Sequence, residues 1–399
     1  MSARSPEALA GQVRRLRDWV RAHPDVDPGE VASALATRAR FEYRAVAVGQ
    51  TTDELLADLT PVVVAPPGRV AFVFPGQGAQ WAGMALELMD SAPVFADRMR
   101  ECADALAPHV DWSLFDVLGD AAALERVDVV QPALFAVMVS LAALWESYGV
   151  HPDGVVGHSQ GEIAAACVAG TLSLPDAARV VALRSQLIQR HTTGQGGGML
   201  SVAEPIEKLR TRLEQWPDRI WIAAMNGPSA TTLSGDRDAL VQLAKQCETD
   251  EVWVRMIPVD YASHSPHIEP LRDDLLNALA PITPQPGHTQ FHSTVDNNPT
   301  FNANYWYRNL REPVHLHHTI TTMINNSYTT FIEISPHPVL TLPLEQTSTH
   351  ITTIPTLHRD NGTLTTFLRN TTHTPTTTWP TTPTTLDLPT YAFHRQRFW

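Results

Sequence analysis

The chain has 399 residues, a formal net charge of -13, and 43% hydrophobic and 18% charged residues. This balance is that of an ordinary globular protein and excludes disorder as the main theme, and the negative charge argues against nucleic-acid binding, which needs clustered lysine and arginine. The length predicts two or three compact units, because single cores usually stop growing at roughly 250 to 300 residues. Cys102, Cys167 and Cys247 show no CxxC spacing, which indicates a reducing compartment and predicts no metal site.

Two features of the sequence bear on where the protein resides. The N-terminal stretch MSARSPEALAG lacks the apolar core of a secretory signal, and the chain has no uninterrupted apolar run of about 18 residues. Together they predict a cytoplasmic protein without a membrane segment.

The first part of the chain predicts two helices and a short strand before a connector. Residues 5–21 carry apolar side chains at helical spacing, and residues 28–48 predict a second helix followed by the strand YRAVAV. The run TPVVVAPPG then predicts a connector, because its Pro-Pro-Gly ending breaks any regular element. We therefore expect a boundary near residue 67.

Strands that alternate with helices predict the larger part of the fold. RVAFVF at residues 69–74 is a continuous apolar run that stops at a Pro-Gly pair, which is typical of a strand buried on both faces. A long helical pattern follows, and DGVVG at residues 153–157 is a second strand of this kind. The alternation predicts an α/β fold with a mostly parallel sheet covered on both sides.

Residues 197–259 have a different rhythm. Predicted strands (GGMLSV, RIWIAAM, ATTLSG, VWVRMIPV) and helices (EPIEKLRTRLEQW, DRDALVQLAKQCE) follow one another in the order βαββαβ, which is that of a ferredoxin-like unit. We interpret this stretch as a small subdomain inserted into the larger one.

The composition changes again from about residue 281, towards Thr, His, Asn and Pro. The segment NTTHTPTTTWPTTPTT has low complexity and predicts an extended linker. The chain then ends on LPTYAFHRQRFW, whose aromatic side chains need a surface on which to pack.

The stretch VVGHSQGEIAAA contains the clearest catalytic pattern. It places Ser159 between Gly157 and Gly161, at the predicted end of a strand and start of a helix. This is the nucleophile elbow pattern, in which the glycines permit a tight turn that presents the serine hydroxyl above the sheet. The N-terminal amides of the following helix also favour an anion formed near Ser159. A structural turn serine is the alternative interpretation.

A serine nucleophile needs a base, and the chain has 17 histidines. His264 is the candidate because YASHSPH follows the last strand of the inserted unit, where the chain returns to the large one. Position alone leaves the other histidines open, since most histidines have a structural role.

Five ordered blocks give a more specific signal than GxSxG alone. FPGQG (74–78), GHSQGE (157–162), the helix around Arg184, YASH (261–264) and YWYRNLREPV (305–314) together resemble the acyltransferase domain of modular type I polyketide synthases, related to malonyl-CoA:acyl carrier protein transacylases. The resemblance covers nearly the whole chain in the right order.

The resemblance implies a fold and its division. It implies a large α/β-hydrolase-like subdomain over residues 68–196 and 260–350, with the ferredoxin-like subdomain at 197–259. Residues 1–67 resemble the end of the linker between a ketosynthase and an acyltransferase, and 351–399 the post-acyltransferase linker that packs back on it. We therefore expect a domain excised from a larger synthase, whose starting methionine need not be natural.

The resemblance also implies roles in the reaction. Ser159 matches the acyl-accepting nucleophile and His264 its general base, in a dyad without an acidic third member. A main-chain carbonyl orients the histidine in this family, and Asn309 stands at the matching position. Gln77 and Gln160 match the residues whose main-chain N–H groups form the oxyanion hole.

Arg184 matches the arginine with which the family binds the free carboxylate of its acyl group. A planar guanidinium suits that task because it can donate two parallel hydrogen bonds to a carboxylate. The alternative interpretation is an exposed surface arginine.

Three positions match the methylmalonyl pattern of the family: RVDVVQ (126–131), Gln160 after the nucleophile, and YASH where malonyl-selective relatives have HAFH. Ser263 in place of phenylalanine opens volume for a methyl branch beside the α-carbon, and Tyr261 narrows the pocket against an ethyl branch. One methyl group discriminates by only about 1 to 3 kcal/mol, so malonyl and ethylmalonyl selectivity stay open. RVDVVQ also has an alternative interpretation as a packing marker.

The resemblance implies ping-pong transfer from methylmalonyl-CoA to Ser159 and on to the phosphopantetheine thiol of an acyl carrier protein, with a ketosynthase adjoining in the parent chain. It implies no metal, no permanently bound cofactor, no nucleic acid and no membrane. Two other classes stay open, a docking scaffold with a decayed site and a serine hydrolase or thioesterase. The hydrolase pattern has Ser, then Asp or Glu, then His, with an HGGG-like loop. Asp260 precedes His264, but the sequence contains no HGGG.

Overall fold

The computed structural model describes residues 1–192, 194–379 and 381–393. They form two compact units, each built from stretches that are separate in the sequence. The first unit consists of Met1–Pro67, Trp145–His151 and the residues from Thr363 onward, and the second unit of Gly68–Leu144 and Pro152–Gly362.

The first unit begins with short strands and capped helices. They are β1 (Ser2–Ala3), α1 (Pro6–Ala22), α2 (Pro28–Ala36), β2 (Tyr43–Val46), α3 (Thr52–Asp58) and β3 (Thr60–Val62). The three helices begin after Ser5, Asp27 and Thr51, whose side-chain oxygens accept a main-chain N–H of the first turn. Strand β2 pairs antiparallel with both β1 and β3.

Strand β3 corrects one prediction. It lies within TPVVVAPPG, where the sequence predicted only a connector, and Val62 is paired with Arg44. The Pro-Pro-Gly breaker acts only after this strand has ended, so the chain pairs for three residues before it turns away.

The second unit contains two sheets. Its strands are β4 (Arg69–Phe74), β5 (Gly154–Gly157), β6 (Gly197–Val202), β7 (Ile220–Gly227), β8 (Ala230–Asp236), β9 (Val254–Ile257), β10 (Gln290–His292), β11 (Tyr328–Glu333) and β12 (Thr352–Pro355). The five-stranded sheet has the order β10-β5-β4-β11-β12 and is parallel throughout. The four-stranded sheet has the order β7-β8-β6-β9 and is antiparallel. The second unit is therefore α/β, with one parallel and one antiparallel sheet.

Helices connect and cover these strands. They are α4 (Leu86–Ser91), α5 (Pro93–Leu106), α6 (Leu114–Val117), α7 (Val127–Ser147), α8 (Gly161–Val168), α9 (Leu174–Thr192), α10 (Ile206–Leu213), α11 (Arg237–Thr249), α12 (Arg272–Ala278), α13 (Ala303–Arg311), α14 (Leu316–Asn325) and α15 (Thr341–Thr347), with α16 (Leu364–Thr371) in the first unit. Residues 70–74 of β4 are at most 5% exposed, which explains why this strand reads as a continuous apolar run.

Helix α7 is long and apolar enough to cross a membrane, with a mean hydropathy of 1.9 over 18 residues. However, 89% of that window is buried inside the protein, as in the core helix of a globular protein. Gln131 and Ser140 interrupt its apolar side chains, so the sequence contains no uninterrupted apolar run here.

The four-stranded sheet has its own apolar core. Its elements follow in the order β6, α10, β7, β8, α11 and β9, and the core includes Leu200, Leu209, Leu233 and Cys247. At the edge of this sheet, β7 forms a parallel bridge to Val314, with hydrogen bonds of 2.8 and 2.9 Å between main-chain atoms.

The predicted boundary at residue 351 is too early. Strand β12 pairs with β11 in the five-stranded sheet, so the second unit continues to Gly362. Residues 145–151, predicted to belong with the large subdomain, are part of the first unit.

The threonine-rich segment is also more closely packed than the sequence predicts. Thr371, Thr374 and Thr377 are at most 3% exposed, and the hydroxyl groups of Thr374 and Thr377 donate to the Thr371 carbonyl. Of the closing stretch LPTYAFHRQRFW, residues 394–399 lie outside the described residues.

Candidate active site

The GHSQG stretch forms a tight turn between β5 and α8. A Cβ atom at Gly157 would lie 2.2 Å from the main-chain nitrogen of Glu162, and one at Gly161 would lie 2.1 Å from the carbonyl oxygen of Phe74. Both positions therefore require glycine. Ser159 has φ of +54°, a left-handed conformation that costs a residue with a side chain on the order of 1 to 3 kcal/mol.

His264 reaches Ser159 from the loop that follows β9. Its Nε2 lies 2.9 Å from the Ser159 Oγ, and its Nδ1 lies 2.8 Å from the main-chain carbonyl oxygen of Glu312. A carbonyl oxygen can only accept, so Nδ1 carries the proton and Nε2 presents a lone pair to the serine hydroxyl. His264 also has a left-handed backbone, with φ of +60°.

The environment keeps His264 uncharged. The pKa of His264 is lowered to about 3, chiefly by burial and further by the nearby Arg184 and His158, while the hydrogen bond to the Glu312 carbonyl opposes the shift. The imidazole is therefore neutral near pH 7 and able to take a proton from Ser159.

Asn309 does not orient His264, which corrects the prediction. The carbonyl at His264 Nδ1 belongs to Glu312, three residues further along. Helix α13 ends at Arg311, and the carbonyl of Glu312, its C-terminal cap residue, is free of the helix ladder and accepts from the ring. The Asn309 side chain contacts Ser159 and Arg184 instead.

Arg184 projects from α9 into the same site and is only 1% exposed, which excludes a surface arginine. One of its terminal nitrogens donates to Asn309 Oδ1 at 2.8 Å, and its Nε has no hydrogen-bond partner. Among the described residues no carboxylate forms an ion pair with it. Burial lowers the pKa of Arg184 to about 10, so it remains a cation near pH 7.

Gln77 and Gln160 lie at the same edge of the five-stranded sheet. Strands β4 and β5 are parallel neighbours with Phe74 opposite Gly157, so the residues that follow both strands meet at their carboxyl ends. Within the described part of the chain, neither main-chain N–H donates to another group. Two unengaged donors beside a serine hydroxyl can bind the oxygen of a reacting carbonyl group.

Two of the residues predicted to select the acyl group line this site. The Tyr261 hydroxyl donates to Gln77 Oε1 at 2.9 Å, and the Gln131 side chain hydrogen-bonds the same hydroxyl. The Gln160 side chain is 2% exposed, and neither its oxygen nor its nitrogen has a partner among the described residues. Ser263 is also buried, but its hydroxyl donates to the sulfur of Met199 at 3.4 Å.

The sequence did not predict that Glu162 and His158 take part in this site. Glu162, the last residue of GHSQGE, is fully buried and accepts a hydrogen bond from Asn309 Nδ2 at 2.9 Å. His158 Nε2 lies 2.8 Å from Asn226 Oδ1 and so joins the elbow to strand β7. The signal for Glu162 was present, because an acid within the apolar run GEIAAAC needs buried partners.

No group of three or more His, Cys, Asp or Glu residues is arranged to hold a metal ion in the ranges that the structure covers.

Comparison with known proteins agrees with this geometry. Residues 71–379 match the family described as acyl transferase domain, and residues 1–59 match the family described as CurL-like, PKS C-terminal. The acyltransferase domain from module 8 of the salinomycin polyketide synthase is 45% identical in sequence, and its crystal structure aligns over 94% of each chain with a TM-score of 0.89.

Curated relatives are much longer proteins. The pikromycin polyketide synthase component PikAII of Streptomyces venezuelae is 49% identical over the whole chain, which spans 11% of its length. Polyketide synthase GfsE of Streptomyces halstedii is 47% identical and also matched over 11% of its length.

An α/β fold with Ser159 and His264 in contact at the carboxyl edge of its parallel sheet is consistent with an acyltransferase. The chain belongs to the acyltransferase domains of modular type I polyketide synthases.

Proposed function

We propose that this domain transfers a methylmalonyl group from CoA to Ser159 and then to the phosphopantetheine thiol of an acyl carrier protein. The observation that carries the proposal is the buried Arg184, whose Nε is unpartnered beside the Ser159–His264 pair. Burying a cation without a direct ion-pair partner is costly, so such a site suits a ligand that brings a carboxylate. The CoA thioester of a dicarboxylic acid brings a carboxylate and a reactive carbonyl together.

In the first half-reaction, His264 Nε2 takes the proton of the Ser159 hydroxyl as its oxygen bonds to the thioester carbon. The N–H groups of Gln77 and Gln160 stabilise the oxyanion, and loss of one such donor typically costs about 10² to 10³ in kcat. The C–S bond then breaks, and the CoA sulfur leaves with the proton from His264. Arg184 holds the acyl carboxylate throughout.

In the second half-reaction, the carrier thiol gives its proton to His264 and its sulfur bonds to the ester carbon. The bond from this carbon to Ser159 Oγ breaks, and His264 returns the proton to the serine. Because His264 is neutral and its Nδ1–H is fixed on Glu312, one imidazole serves as base and acid in both halves.

Three side chains support a methylmalonyl rather than a malonyl preference. Ser263 is much smaller than the phenylalanine of malonyl-selective relatives, and its hydroxyl donates to Met199 rather than remaining free to meet a methyl branch. Tyr261 is fixed by Gln77 and by Gln131, the last residue of RVDVVQ, so two selectivity motifs meet at one hydroxyl. The Gln160 side chain, which is also buried, is the third residue that we assign to acyl selection.

The proposal includes the surroundings of the domain. We propose a carrier protein and a ketosynthase as partners in the parent chain, the first unit as linker, and residues 197–259 as a ferredoxin-like subdomain. The four-stranded antiparallel sheet and its separate core support the last of these.

Intact-mass measurement after incubation with methylmalonyl-CoA tests the reaction. We expect a stable acyl adduct that is absent in Ser159→Ala and disappears when a carrier protein with a free phosphopantetheine thiol is added. Release of methylmalonic acid with no adduct would instead identify a hydrolase.

The role of Arg184 is tested by comparing methylmalonyl-CoA with propionyl-CoA, which has the same acyl chain without the carboxylate. In Arg184→Ala we expect kcat/KM for methylmalonyl loading to fall by roughly 10², the value of a charged pair of hydrogen bonds, with little change for propionyl loading. Equal loading of both substrates by the unmodified protein contradicts the assignment.

Competition among malonyl-, methylmalonyl- and ethylmalonyl-CoA tests the selectivity. We expect methylmalonyl adducts to dominate, and Ser263→Phe to shift the ratio towards malonyl by about tenfold, which is within the range of one methyl group. An unchanged ratio in this variant would remove Ser263 from the selectivity residues.

A further inference from the structure

Glu162 is a buried carboxylate surrounded by donors. It accepts from the Thr294 main-chain N–H at 2.6 Å, the Thr294 hydroxyl at 2.8 Å, Asn309 Nδ2 at 2.9 Å, and the Tyr305 hydroxyl. Burial raises the pKa of Glu162, and these donors oppose the shift. Four donors and no acceptor around two oxygens match an ionised carboxylate.

The Asn309 amide is held in one orientation. Its Nδ2 donates to Glu162 Oε2 and also lies 3.2 Å from the Ser159 carbonyl oxygen. Because both acceptors face the NH₂ group, the amide oxygen must point the other way, where it accepts from Arg184 at 2.8 Å. The order of contacts is therefore Glu162, Asn309, Arg184.

The neutral amide between the two charges matters for a carboxylate-binding site. A glutamate in direct contact with Arg184 would form an internal ion pair and compete with the acyl carboxylate for the guanidinium. With Asn309 between them, the negative charge of Glu162 favours the cation from a distance, and Arg184 Nε stays without a partner.

We propose that Glu162 and Asn309 are positioning residues for acyl selection: Glu162 fixes the Asn309 amide, and the Asn309 oxygen holds the Arg184 guanidinium in place for the substrate carboxylate. The inference rests on the proposed function, and it adds two residues that act through Arg184.

The test uses Glu162→Gln and Asn309→Ala and measures the ratio of kcat/KM for Ser159 acylation by methylmalonyl-CoA to that by propionyl-CoA. A glutamine brings an NH₂ group among four donors, and the alanine removes the acceptor of Arg184. We expect the ratio to fall about tenfold in each variant, mainly through KM for methylmalonyl-CoA.

Glu333→Gln is the matched control. Glu333 is also buried and accepts from the main-chain N–H groups of Val339, Leu340 and Thr341 and from the Thr341 hydroxyl, but it has no contact with Arg184 or Asn309. We expect this variant to lose thermal stability as Glu162→Gln does and to keep the substrate ratio. A ratio that falls equally in the control would reduce the effect to general destabilisation and overturn the proposal.

Arg184→Ala, measured in the same assay, distinguishes failure of the positioning role from failure of the proposed carboxylate site. If it lowers the ratio and Asn309→Ala does not, the positioning role is wrong and the proposed function stands. If Arg184→Ala leaves the ratio unchanged, the carboxylate site itself is wrong. Asn309→Ala decides the question even if Glu162→Gln fails to fold.

Discussion

His264 is oriented by the main chain rather than by an acidic side chain. The main-chain N–H of His264 donates to the Leu310 carbonyl, and the ring Nδ1–H donates to the Glu312 carbonyl. A carbonyl oxygen fixes the tautomer as a carboxylate would, but it adds no full negative charge to favour the imidazolium. The hydrogen bond therefore offsets only part of the desolvation of the ring, and the pKa of His264 stays low.

This predicts an unusual pH dependence for Ser159 acylation. With the pKa of His264 at about 3, below its ordinary 6.5, the ring stays unprotonated as the pH falls from about 7.5 to 5.5. We expect the single-turnover rate with methylmalonyl-CoA to be nearly constant over this range, whereas an ordinary histidine would cost about tenfold. A rate that declines with an apparent pKa near 6.5 contradicts the prediction, with circular dichroism to confirm that the protein remains folded.

The low pKa of His264 also makes the free energy of unfolding depend on pH. Between pH 6.5 and about pH 3, the unfolded chain binds a proton at His264 and the folded chain does not. The contribution of His264 to the free energy of unfolding is therefore complete above pH 6.5 and is lost as the pH falls towards 3.

Among the individual residues of the site, functional side chains are easier to predict from the sequence than functional main-chain groups. Ser159, His264 and Arg184 each stand in a recognisable block, and the structure brings all three to one site. The Glu312 carbonyl could not be identified in the same way, because every residue carries a carbonyl and only the chain path decides which one faces His264.

At the scale of elements, the elbow depends on how closely α8 approaches β4. Gly161 opens the helix directly against the Phe74 carbonyl, and the amide of Gln160 lies at the same turn. The close approach sets the positions of the Ser159 hydroxyl and of the Gln160 main-chain N–H together.

Gly161→Ala is therefore expected to be severely destabilising. The new Cβ would lie 2.1 Å from the Phe74 oxygen, so either the helix or the strand has to shift. We expect the free energy of unfolding to fall by about 2 kcal/mol or more, and the Ser159 adduct to be lost. Urea denaturation checks the first and intact mass the second.

Gly119→Ala is the control for this substitution. No heavy atom lies within 4 Å of a Cβ at that position, so we expect a change within about 0.5 kcal/mol. A similar loss of stability in both variants would show that the close contact at Gly161 is not its cause.

Sequence periodicity predicted the buried strands better than the short and edge elements. Strands β4 and β5 are buried on both faces and so leave continuous apolar runs. Strand β3 has three residues, two of them exposed, and leaves almost no pattern. The threonines after α16 are packed more closely than their composition predicts, because composition does not reveal hydrogen bonds that satisfy hydroxyl groups internally.

At the scale of the whole molecule, the second unit contains more than one apolar core. Cys247 belongs to the core of the four-stranded sheet, while Cys102 lies on α5 and Cys167 on α8. Burial raises the pKa of Cys102 to about 12 and that of Cys167 to about 11, and it also raises the pKa of Cys247. The thiolate is the reactive form, so all three thiols are protected in the folded state.

Alkylation with iodoacetamide measures this protection. We expect no modification of the native protein near pH 8 and three modified cysteines in strong denaturant. At intermediate denaturant Cys247 should react first, because the smaller core of the four-stranded sheet is stabilised by less buried surface. Simultaneous modification of all three would mean that the two sheets unfold as one cooperative unit.

The bridge between β7 and Val314 has a consequence for building hybrid synthases. The Val314 N–H donates to Ala223 and the Met225 N–H donates to Val314, so the joint next to Glu312 depends on backbone path and not on side-chain identity. A block covering residues 197–257 can therefore be taken from a relative while His264 keeps its contact with the Glu312 carbonyl. The graft has to retain Asn226, because its side chain is the partner of His158 in the elbow.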